Sequence, residues 1–375
     1  MRLFVALAGF VSLFLVLAVV IPCVLPASEL PQTSHYSLLE PIRSGNLTVF
    51  PVVSNKNFDT GEFITLDEGI RSSDVVVTEA GQARGLIRRR PKDRDVIAPV
   101  RDAEVNRLVL VNNSKRPLLL LAGEIVTGGK QDRVIGKDRI VPAESDPVDL
   151  SVFCVEPGRW VAANGKSDFG AGRAGGVVGG VVAAPSVRAP AMAAKNQQQV
   201  WDQVGKAKRA MSETVEVTNG VPAVEVESTT SYARVMENKD VQKQVDSIAE
   251  PVQRNYESVI HQLRDKNAVG VVVAVNGEVV WADIFASTQL LQKYWPKLVR
   301  SYATEAVITR AKTVQVSTKD AQKFLDQLEA RHETSDVEPG VYKQTEISGD
   351  GFRVFELMSL LPKTGFAVHI AKMAE

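Results

Sequence analysis

The sequence is poor in cysteine and histidine, and neither sign of charge is in excess. Among 375 residues there are 2 cysteines and 4 histidines, and 44 basic side chains balance 44 acidic ones. A neutral balance gives no electrostatic footprint for nucleic acid, so no nucleic-acid partner is expected. The histidines, His35, His261, His332 and His369, stand far apart with no HExxH or paired-cysteine spacing. The pattern therefore predicts neither a metal site nor a bound cofactor.

The two cysteines are Cys23 and Cys154, and only Cys154 remains if the N-terminal segment is removed. A single cysteine excludes an intramolecular disulfide. Cys154 lies in a run that alternates polar and apolar residues, from Asp149 to Glu156. The alternation predicts a strand in which the thiol is buried and acts as a small hydrophobic group.

Long hydrophobic runs are absent except at the N-terminus. Leu3–Leu25 is almost entirely apolar and follows the single charge of Arg2. The run is long enough to cross a bilayer, and it is typical of a cleaved signal peptide or of an uncleaved anchor. We therefore expect residues 1–27 to be a signal peptide or membrane anchor. The protein would then be exported, as a periplasmic or membrane-anchored cell-envelope protein whose only membrane contact is this segment.

The remaining residues, 28–375, are predicted to form a single α+β domain. Closely spaced strand-like runs between Arg107 and Val155 favour an antiparallel sheet that curls into a β sandwich or partial barrel. Apolar residues recur at helical spacing over Val200–Met211 and again over Val241–Leu263. The fold class is therefore α+β, mainly an antiparallel β sandwich or partial barrel, with helices concentrated in the C-terminal half.

Turn and cap signals add finer predictions. Asn113–Pro117 is typical of a hairpin connection, and Asn276–Gly277 is the strongest hairpin signal in the chain. Pro251 is expected to kink or split one helix and Pro296 to interrupt another. Ser317 resembles an N-terminal helix cap.

The segment from about residue 165 to residue 196 is rich in glycine and alanine and has no periodicity. It is predicted to be a mobile surface loop. Its glycines give only weak support for phosphate binding, because no strand leads into it and no capped helix leads out, as a dinucleotide-binding motif requires.

The stretch most difficult to explain as core is Gly128–Arg133, read GGKQDR, which follows a Gly123–Glu124 pair. Its spacing resembles a P-loop, but an extra glycine precedes the lysine, and Gln131 replaces the magnesium-binding Ser or Thr. Consecutive glycines can still direct backbone N–H groups at an anion, with Lys130 and Arg133 adding positive charge. The simpler interpretation is a glycine turn with solvated basic side chains and a Glu124–Arg133 ion pair.

Two carboxylates are candidates for a general base. Glu124 could bind ribose hydroxyls or act as a base, and Asp283 stands between aromatic residues at the end of a predicted strand. For Asp283 the sequence favours capping of the following helix over lining a site. His369 alternates with apolar residues on a predicted strand, where a satisfied or surface histidine is favoured over a ligand or base.

These residues resemble a known family. The run GEIVTGGKQDR, a strand, and then VPAESDPVDLSVFCVEPGRW is similar to the bacterial domain named for its association with ADP-ribosylglycohydrolases and rhodanese-phosphatases. The resemblance covers about Tyr36 to Met373. This chain has Gly129 where the family has a small Ala, Asp132 for Asn, and Phe153 for Ser.

The resemblance implies a set of marked positions and a biological setting. The positions that correspond to the family's motif are Gly123, Glu124, Lys130, Gln131, Arg133, Cys154, Glu156, Gly158, Arg159 and Trp160, together with Asp283. The implied setting is NAD and ADP-ribose metabolism, in an accessory or uncharacterised role.

We therefore expect a ligand-binding or accessory domain that recognises an ADP-ribose-like or other phosphorylated small molecule. The expected ligand-binding residues are Gly128, Gly129, Lys130, Gln131, Arg133, Glu156, Arg159 and Trp160. Two alternatives stay open. One is a hydrolase that uses Glu124 or Asp283 as general base, and the other is a structural interaction module of the cell envelope.

Overall fold

The computed structural model describes residues 35–79, 106–158, 168–171, 180–312 and 314–375. The strands within them are β1 (Tyr36–Leu38), β2 (Ile42–Ser44), β3 (Leu47–Ser54), β4 (Ile64–Thr65), β5 (Val75–Glu79), β6 (Arg107–Asn112), β7 (Leu118–Leu120), β8 (Ile125–Gly128), β9 (Arg133–Ile135), β10 (Arg139–Val141), β11 (Val148–Cys154), β12 (Asp168–Ala171), β13 (Asn267–Val275), β14 (Glu278–Phe285), β15 (His332–Glu338), β16 (Tyr342–Gly349), β17 (Phe352–Ser359) and β18 (Ala367–Ala374).

The helices follow mainly after the barrel strands. They are α1 (Leu66–Arg71), α2 (Pro185–Ala189), α3 (Gln197–Asn219), α4 (Val224–Ser228), α5 (Tyr232–Glu237), α6 (Lys239–Gln262), α7 (Thr288–Ile308) and α8 (Thr318–Asp326). One π-helical turn, Pro190–Ala194, follows α2. Helices α2 to α8 all lie beyond residue 184, which confirms that helices are concentrated in the C-terminal half.

The strands form two large assemblies and one small one. A nine-stranded sheet has the order β1-β3-β13-β14-β18-β17-β16-β15, with β2 beside β3. A closed barrel has the order β11-β6-β5-β12-β8-β9, and a small sheet contains β10, β7 and β4. Every pairing is antiparallel except β4 with β7. The α+β fold class with an antiparallel barrel is confirmed.

The large sheet is apolar on both faces because its central strands are covered from both sides. Val271 and Val273 of β13 belong to the core shared with α3, α6 and α7. Their neighbours Val272 and Ala274 belong to a second core, which contains Phe324 of α8. Successive side chains of a strand point to opposite faces, so this alternation places helices on both sides of the sheet.

The barrel has a separate apolar core. Val77 of β5, Leu110 of β6, Val126 of β8 and Val152 of β11 all belong to it and are fully buried. These strands carry β-branched and leucine residues at alternate positions, which suits a sheet with one buried face. The barrel therefore supplies a rigid frame whose strand ends and turns carry the GGKQDR run.

One predicted hairpin is confirmed and the other is wrong. Asn276 and Gly277 connect β13 to β14 with φ values of 55° and 80°, as a tight hairpin turn requires. The Asn113–Pro117 connection joins β6 to β7, but these strands do not pair with each other. β6 pairs with β5 and β11 in the barrel, whereas β7 pairs with β10 and β4.

The two prolines do not interrupt their helices. α6 continues through Pro251 and α7 through Pro296. Proline removes the hydrogen bond to the carbonyl four residues earlier, and those carbonyls belong to Ser247 and Gln292, which are exposed. Water can satisfy both groups, so the cost is small. The cap at Ser317 is confirmed, since its hydroxyl accepts from the Asp320 N–H at 3.1 Å.

The predicted mobile loop at about 165–196 differs from the structure wherever its residues are described. Residues 165–167 and 172–179 lie outside the described part of the chain, and residues 168–171 form β12 in the barrel. Val182 pairs with Glu124 in an isolated β-bridge, and Val187 and Met192 are buried in the main core. The small side chains of Ala183, Ala184 and Ala191 are fully buried, so this described part of the segment is packed and not a solvated loop.

The predicted signal peptide or membrane anchor, residues 1–27, lies outside the described residues. Within the residues that are described, no helix combines the length and apolar character needed to span a bilayer.

Candidate functional site

The GGKQDR turn connects β8 to β9 at one end of the barrel. Gly128 and Gly129 have φ values of 125° and 47°, in the region that side chains with a Cβ rarely adopt. Gly129, Gln131 and Arg133 are buried, whereas Lys130 is half-buried. The expectation of a bend that depends on glycine therefore agrees with the geometry.

The second half of the motif lies directly beside this turn. β11 runs antiparallel to β9 and places Cys154 opposite Arg133. Beyond it, the Asp132 N–H donates to Glu156 Oε2 at 3.1 Å, and Gln131 Nε2 donates to the Glu156 carbonyl at 3.1 Å. Two segments that are 25 residues apart in the chain thus form one polar cluster.

Cys154 lies beside this cluster, but its thiol is not suited to act as a nucleophile. The thiol is fully buried, as the alternating sequence predicted. Burial raises its pKa, and the Sγ accepts a hydrogen bond from the Glu156 N–H at 3.3 Å. A buried thiol with a raised pKa is a poor nucleophile.

Carboxylates of the protein already bind several backbone N–H groups of the turn. The Lys130 N–H donates to Glu79 Oε1 at 2.7 Å, and the Gly128 N–H donates to Asp132 Oδ1 at 3.0 Å. The other oxygen of Asp132 accepts from the Ser231 hydroxyl at 2.5 Å. The N–H groups of Gly128, Lys130 and Asp132 are therefore already paired within the protein.

Two of the expected ligand-binding residues, Arg159 and Trp160, lie outside the described residues. The structure thus brings together Gly128, Gly129, Lys130, Gln131, Arg133 and Glu156, and adds Glu79, Asp132 and Ser231, which the sequence analysis did not select.

Glu124 lies in a different cluster, and its expected ion pair with Arg133 is wrong. Lys297 of α7 donates to Glu124 Oε1 and to Asp67 Oδ2, each at 2.5 Å. The second oxygen of Glu124 accepts from the Leu121 N–H at 2.7 Å, and the second oxygen of Asp67 accepts from the Gly180 N–H at 2.6 Å. The pairing follows from the fold, which places α7 against the strand end that carries Glu124.

The cluster around Lys297 is buried, and the positive and negative charges of its members compensate one another. Burial favours the neutral form of Lys297, but Asp67 and Glu124 outweigh it and raise the pKa of the ammonium. Burial raises the pKa of Glu124, and the nearby Asp67 charge adds to the increase. For Asp67, burial is outweighed by Lys297 and by the hydrogen bonds, and its pKa is lowered.

Asp283 lies at the centre of a third cluster, and its expected role as a helix cap is wrong. Ser287 caps α7, since its hydroxyl accepts from the Leu290 N–H at 3.0 Å. The Asp283 carboxylate instead accepts two hydrogen bonds from Arg188, at 2.9 and 3.1 Å, and one from the Tyr302 hydroxyl. Arg188 also stacks on Trp281, with its guanidinium carbon 4.4 Å from the ring centroid.

His369 extends the Asp283 cluster to Asp138. Its Nδ1 lies 2.7 Å from Asp138 Oδ2, and its Nε2 lies 3.1 Å from Asp283 Oδ1. Burial opposes a charged ring, but the two carboxylates outweigh it and raise the pKa of His369 to about 9. At neutral pH the ring is an imidazolium that donates from both nitrogens. For Asp283, burial is outweighed by Arg188 and His369, which hold its pKa well below the usual range.

Gly123 shows why the Gly–Glu pair begins with glycine. Its φ is 95°, and a Cβ at this position would lie 2.6 Å from Cγ of Arg188. Glycine therefore allows Arg188 to pass along the backbone beside Glu124 and reach Asp283. The Gly123–Glu124 pair stands between the second and third clusters, one residue contacting each.

The sequence analysis missed the basic partners of both carboxylates. Lys297 stands in an apolar helical face and Arg188 in a Gly/Ala-rich run, and both are buried. A charged residue in such surroundings is the signal that could have found them, because burial of an unpaired charge is costly and requires a counter-ion. In the described part of the chain, no group of three His, Cys, Asp or Glu side chains is arranged to hold a metal ion.

A polar cavity of about 490 Å³ lies between the barrel and the sheet edge, away from the turn. Arg139 of β10 pairs there with Glu338 of β15 at 2.8 Å, and Lys137 pairs with Asp336. Its cations are matched by carboxylates from the facing strand, and it contains none of the residues expected to bind a ligand.

Comparison with known families shows which family the chain belongs to. Residues 35–373 match ARPP-1, the ARG and Rhodanese-Phosphatase-superfamily-associated Protein domain. The match covers most of the chain, and the protein belongs to this family. Searches of curated proteins and of solved structures found no match.

Proposed function

We propose that this protein is a ligand-binding accessory domain of the cell envelope. It recognises a phosphorylated small molecule, with ADP-ribose-like compounds as the leading class, at the barrel end that carries the GGKQDR turn. Lys130 and Arg133 supply positive charge for the phosphate group. The apolar N-terminal segment, Leu3–Leu25, supports the placement in the envelope.

The observation that carries the proposal is the convergence of two polar segments at one barrel end. Gln131 and Asp132 make two hydrogen bonds to Glu156, although packing of an apolar core requires neither of these bonds. Polar residues concentrated at a strand end on a rigid frame are typical of binding sites. The family's association with ADP-ribosylglycohydrolases supports a ribosylated or phosphorylated ligand.

The test is calorimetry on the full-length chain in detergent, with ADP-ribose, ribose 5-phosphate and inorganic phosphate as probes. Lys130→Ala is expected to weaken binding about tenfold, since one charge-assisted contact to phosphate contributes on the order of 1.4 kcal/mol. Lys130 is half-buried, so this substitution leaves the barrel core intact.

Lys137→Ala is the matched control. Lys137 is also partly exposed and follows the other end of β9, where it pairs with Asp336. It should leave phosphate binding unchanged. Absence of heat with all three probes, or equal loss in both variants, would overturn the proposal.

A structural interaction module is the second candidate, and one observation favours it. Glu124 and Asp283 are almost completely buried, and both are held in compensated ion clusters. In such positions they hold elements together. A hydrolase using either carboxylate as general base has less support, because all of their oxygens are hydrogen-bonded and the low pKa of Asp283 makes it a weak base.

A further inference from the structure

Glu79 is an unusual carboxylate at the barrel end. It is the last residue of β5, it is 1% exposed, and only one of its oxygens has a partner. Oε1 accepts from the Lys130 N–H at 2.7 Å, whereas Oε2 has no hydrogen-bond donor among the residues that the structure describes. A buried carboxylate oxygen without a donor loses its hydration and gains nothing in exchange.

Gln131 repeats the pattern in the next residue along the turn. Its side chain is 5% exposed, and Nε2 is fixed by the hydrogen bond to the Glu156 carbonyl. Because a carbonyl only accepts, this bond also fixes the amide orientation and leaves Oε1 as the remaining acceptor. Within the described chain Oε1 has no donor. Two buried acceptors thus lack donors among the described residues, one on Gln131 of the turn and one on Glu79, which contacts the turn through the Lys130 N–H.

The chemistry of Glu79 Oε2 and Gln131 Oε1 defines the kind of group that could pair with them. Both require a hydrogen-bond donor. A metal ion would satisfy oxygen atoms, but the described carboxylates do not converge in a metal-binding group. Lys130 and Arg133 lie in the same turn and offset much of the negative charge of Glu79, Asp132 and Glu156, so a neutral donor is favoured over a cationic one. A neutral donor remains, and hydroxyl groups are the neutral donors of small metabolites.

We propose that Glu79 Oε2 and Gln131 Oε1 accept hydrogen bonds from the hydroxyl groups of a polyhydroxylated ligand, with a sugar phosphate as the class. The inference rests on the function proposed above, and it assigns the second half of the ligand. The basic side chains meet the phosphate, and the two acceptors select the hydroxylated sugar. A site that leaves two acceptors unpaired discriminates strongly against analogues that lack the matching donor.

The test compares ribose 5-phosphate with 2-deoxyribose 5-phosphate by calorimetry on the full-length protein. The wild type should bind the ribose compound about tenfold tighter or more, because a hydroxyl donor to a buried charged acceptor is lost in the deoxy sugar. Glu79→Gln keeps Oε1 for the Lys130 N–H and replaces Oε2 with a donor. This variant should bind both sugars equally, at the level of the wild type with the deoxy sugar.

Gln131→Met serves as a second variant of similar size should Glu79→Gln fail to fold, and it should weaken the binding of both sugars, because both retain the hydroxyl that Gln131 accepts from. Glu278→Gln, at an exposed position of β14, is the control and should retain the full preference.

The outcomes separate this inference from the one on which it rests. Equal binding of both sugars by the wild type, with phosphate binding still dependent on Lys130, would overturn the hydroxyl assignment alone. Tighter binding of phosphoethanolamine, lost in Glu79→Gln, would show an ammonium donor and overturn it as well. Absence of binding to every phosphorylated probe would overturn both proposals.

Discussion

At the scale of single residues, the protein neutralises its buried charges through partners that are far away in the chain. Glu124 meets Lys297 across 173 residues, and Asp138 meets His369 across 231. Removal of one member of such a pair leaves an uncompensated charge in a medium that solvates it poorly. Each of these side chains therefore depends on a partner from a distant element for its charge to be compensated.

The imidazolium of His369 predicts a pH-dependent stability. Its pKa is about 9 in the folded protein against 6.5 in the unfolded chain, so the folded state holds the proton more tightly. The resulting contribution, on the order of 3 kcal/mol, is fully present below pH 6.5 and is lost as the pH rises through 9. Urea unfolding between pH 6 and pH 10 should show this decrease in the wild type and not in His369→Gln.

The control is His332, which is exposed on β15. His332→Gln should keep the wild-type pH profile. If His369→Gln shows the same decrease as the wild type, the charge of the His369 ring does not contribute to folding.

Sequence reasoning singled out two carboxylates that lie in buried ion clusters, but it gave them the wrong partners. It assigned Glu124 to Arg133 because the two are close in the chain, and it assigned Asp283 to the next helix for the same reason. The observed partners, Lys297 and Arg188, are set by how α7 and α2 pack against the strands. Spacing along one segment carries no information about that packing.

At the scale of elements, the hairpin between β13 and β14 depends on a glycine for two reasons. Gly277 has a φ of 80°, and a Cβ there would lie 2.6 Å from Cγ1 of Val314. Gly340, in the turn between β15 and β16, has a similar φ of 73° and no atom within 4 Å of that position. Alanine at either position would have to adopt an unfavourable positive φ, but only at Gly277 would its Cβ also clash with a neighbouring atom.

Alanine at each position separates the two costs. Gly340→Ala should lower the free energy of unfolding by about 1 kcal/mol, the cost of a left-handed conformation with a Cβ. Gly277→Ala should lower it by about 1–3 kcal/mol more, the range of overpacking. Urea denaturation measures both values, and equal losses would mean that the segment of Val314 yields without cost.

The elements also show where periodicity succeeds. The helical spacing predicted over Val200–Met211 and Val241–Leu263 corresponds to α3 and α6. β15, with the sequence HETSDVE, escaped prediction because it is an edge strand with mostly exposed side chains. An edge strand held by backbone hydrogen bonds on one side needs no apolar pattern.

At the scale of the whole molecule, Lys297 links the helical layer to the barrel side of the fold. It extends from α7 to Asp67 of α1 and to Glu124 at the start of β8. Lys297→Met should lower the free energy of unfolding by about 3–5 kcal/mol at pH 7, because two buried carboxylates would lose their counter-ion. Equilibrium denaturation in urea measures the loss.

Lys293 is the matched control, one turn earlier on the same helix. It pairs with Glu68 at a partly exposed position, with both side chains at least 20% accessible. Lys293→Met should cost no more than about 1 kcal/mol, as partly exposed ion pairs do. Comparable losses in the two variants would show that burial of the Lys297 cluster adds nothing to the contact.

The overall class of the fold could be predicted because it depends on strand spacing and helical periodicity, both of which are local. The closure of the barrel could not, since it requires β12 to pair with both β5 and β8. The composition of the predicted loop around β12 gave no strand signal. The polar turn at the barrel end could nevertheless be singled out from the sequence, because polar residues between apolar strand-like runs can be recognised without knowledge of the topology.

The buried thiol of Cys154 can be used to measure how often this end of the barrel opens. It is fully buried beside α3, whose Gln197 accepts a hydrogen bond from the Cys154 N–H and donates one to the Cys154 carbonyl. We therefore expect a sulfhydryl reagent to reach it only when the barrel end separates from α3. With Cys23 replaced by serine, Cys154 is the only thiol, and its rate of alkylation measures how often the barrel end opens. A ligand that binds at this end and keeps it closed should slow the reaction.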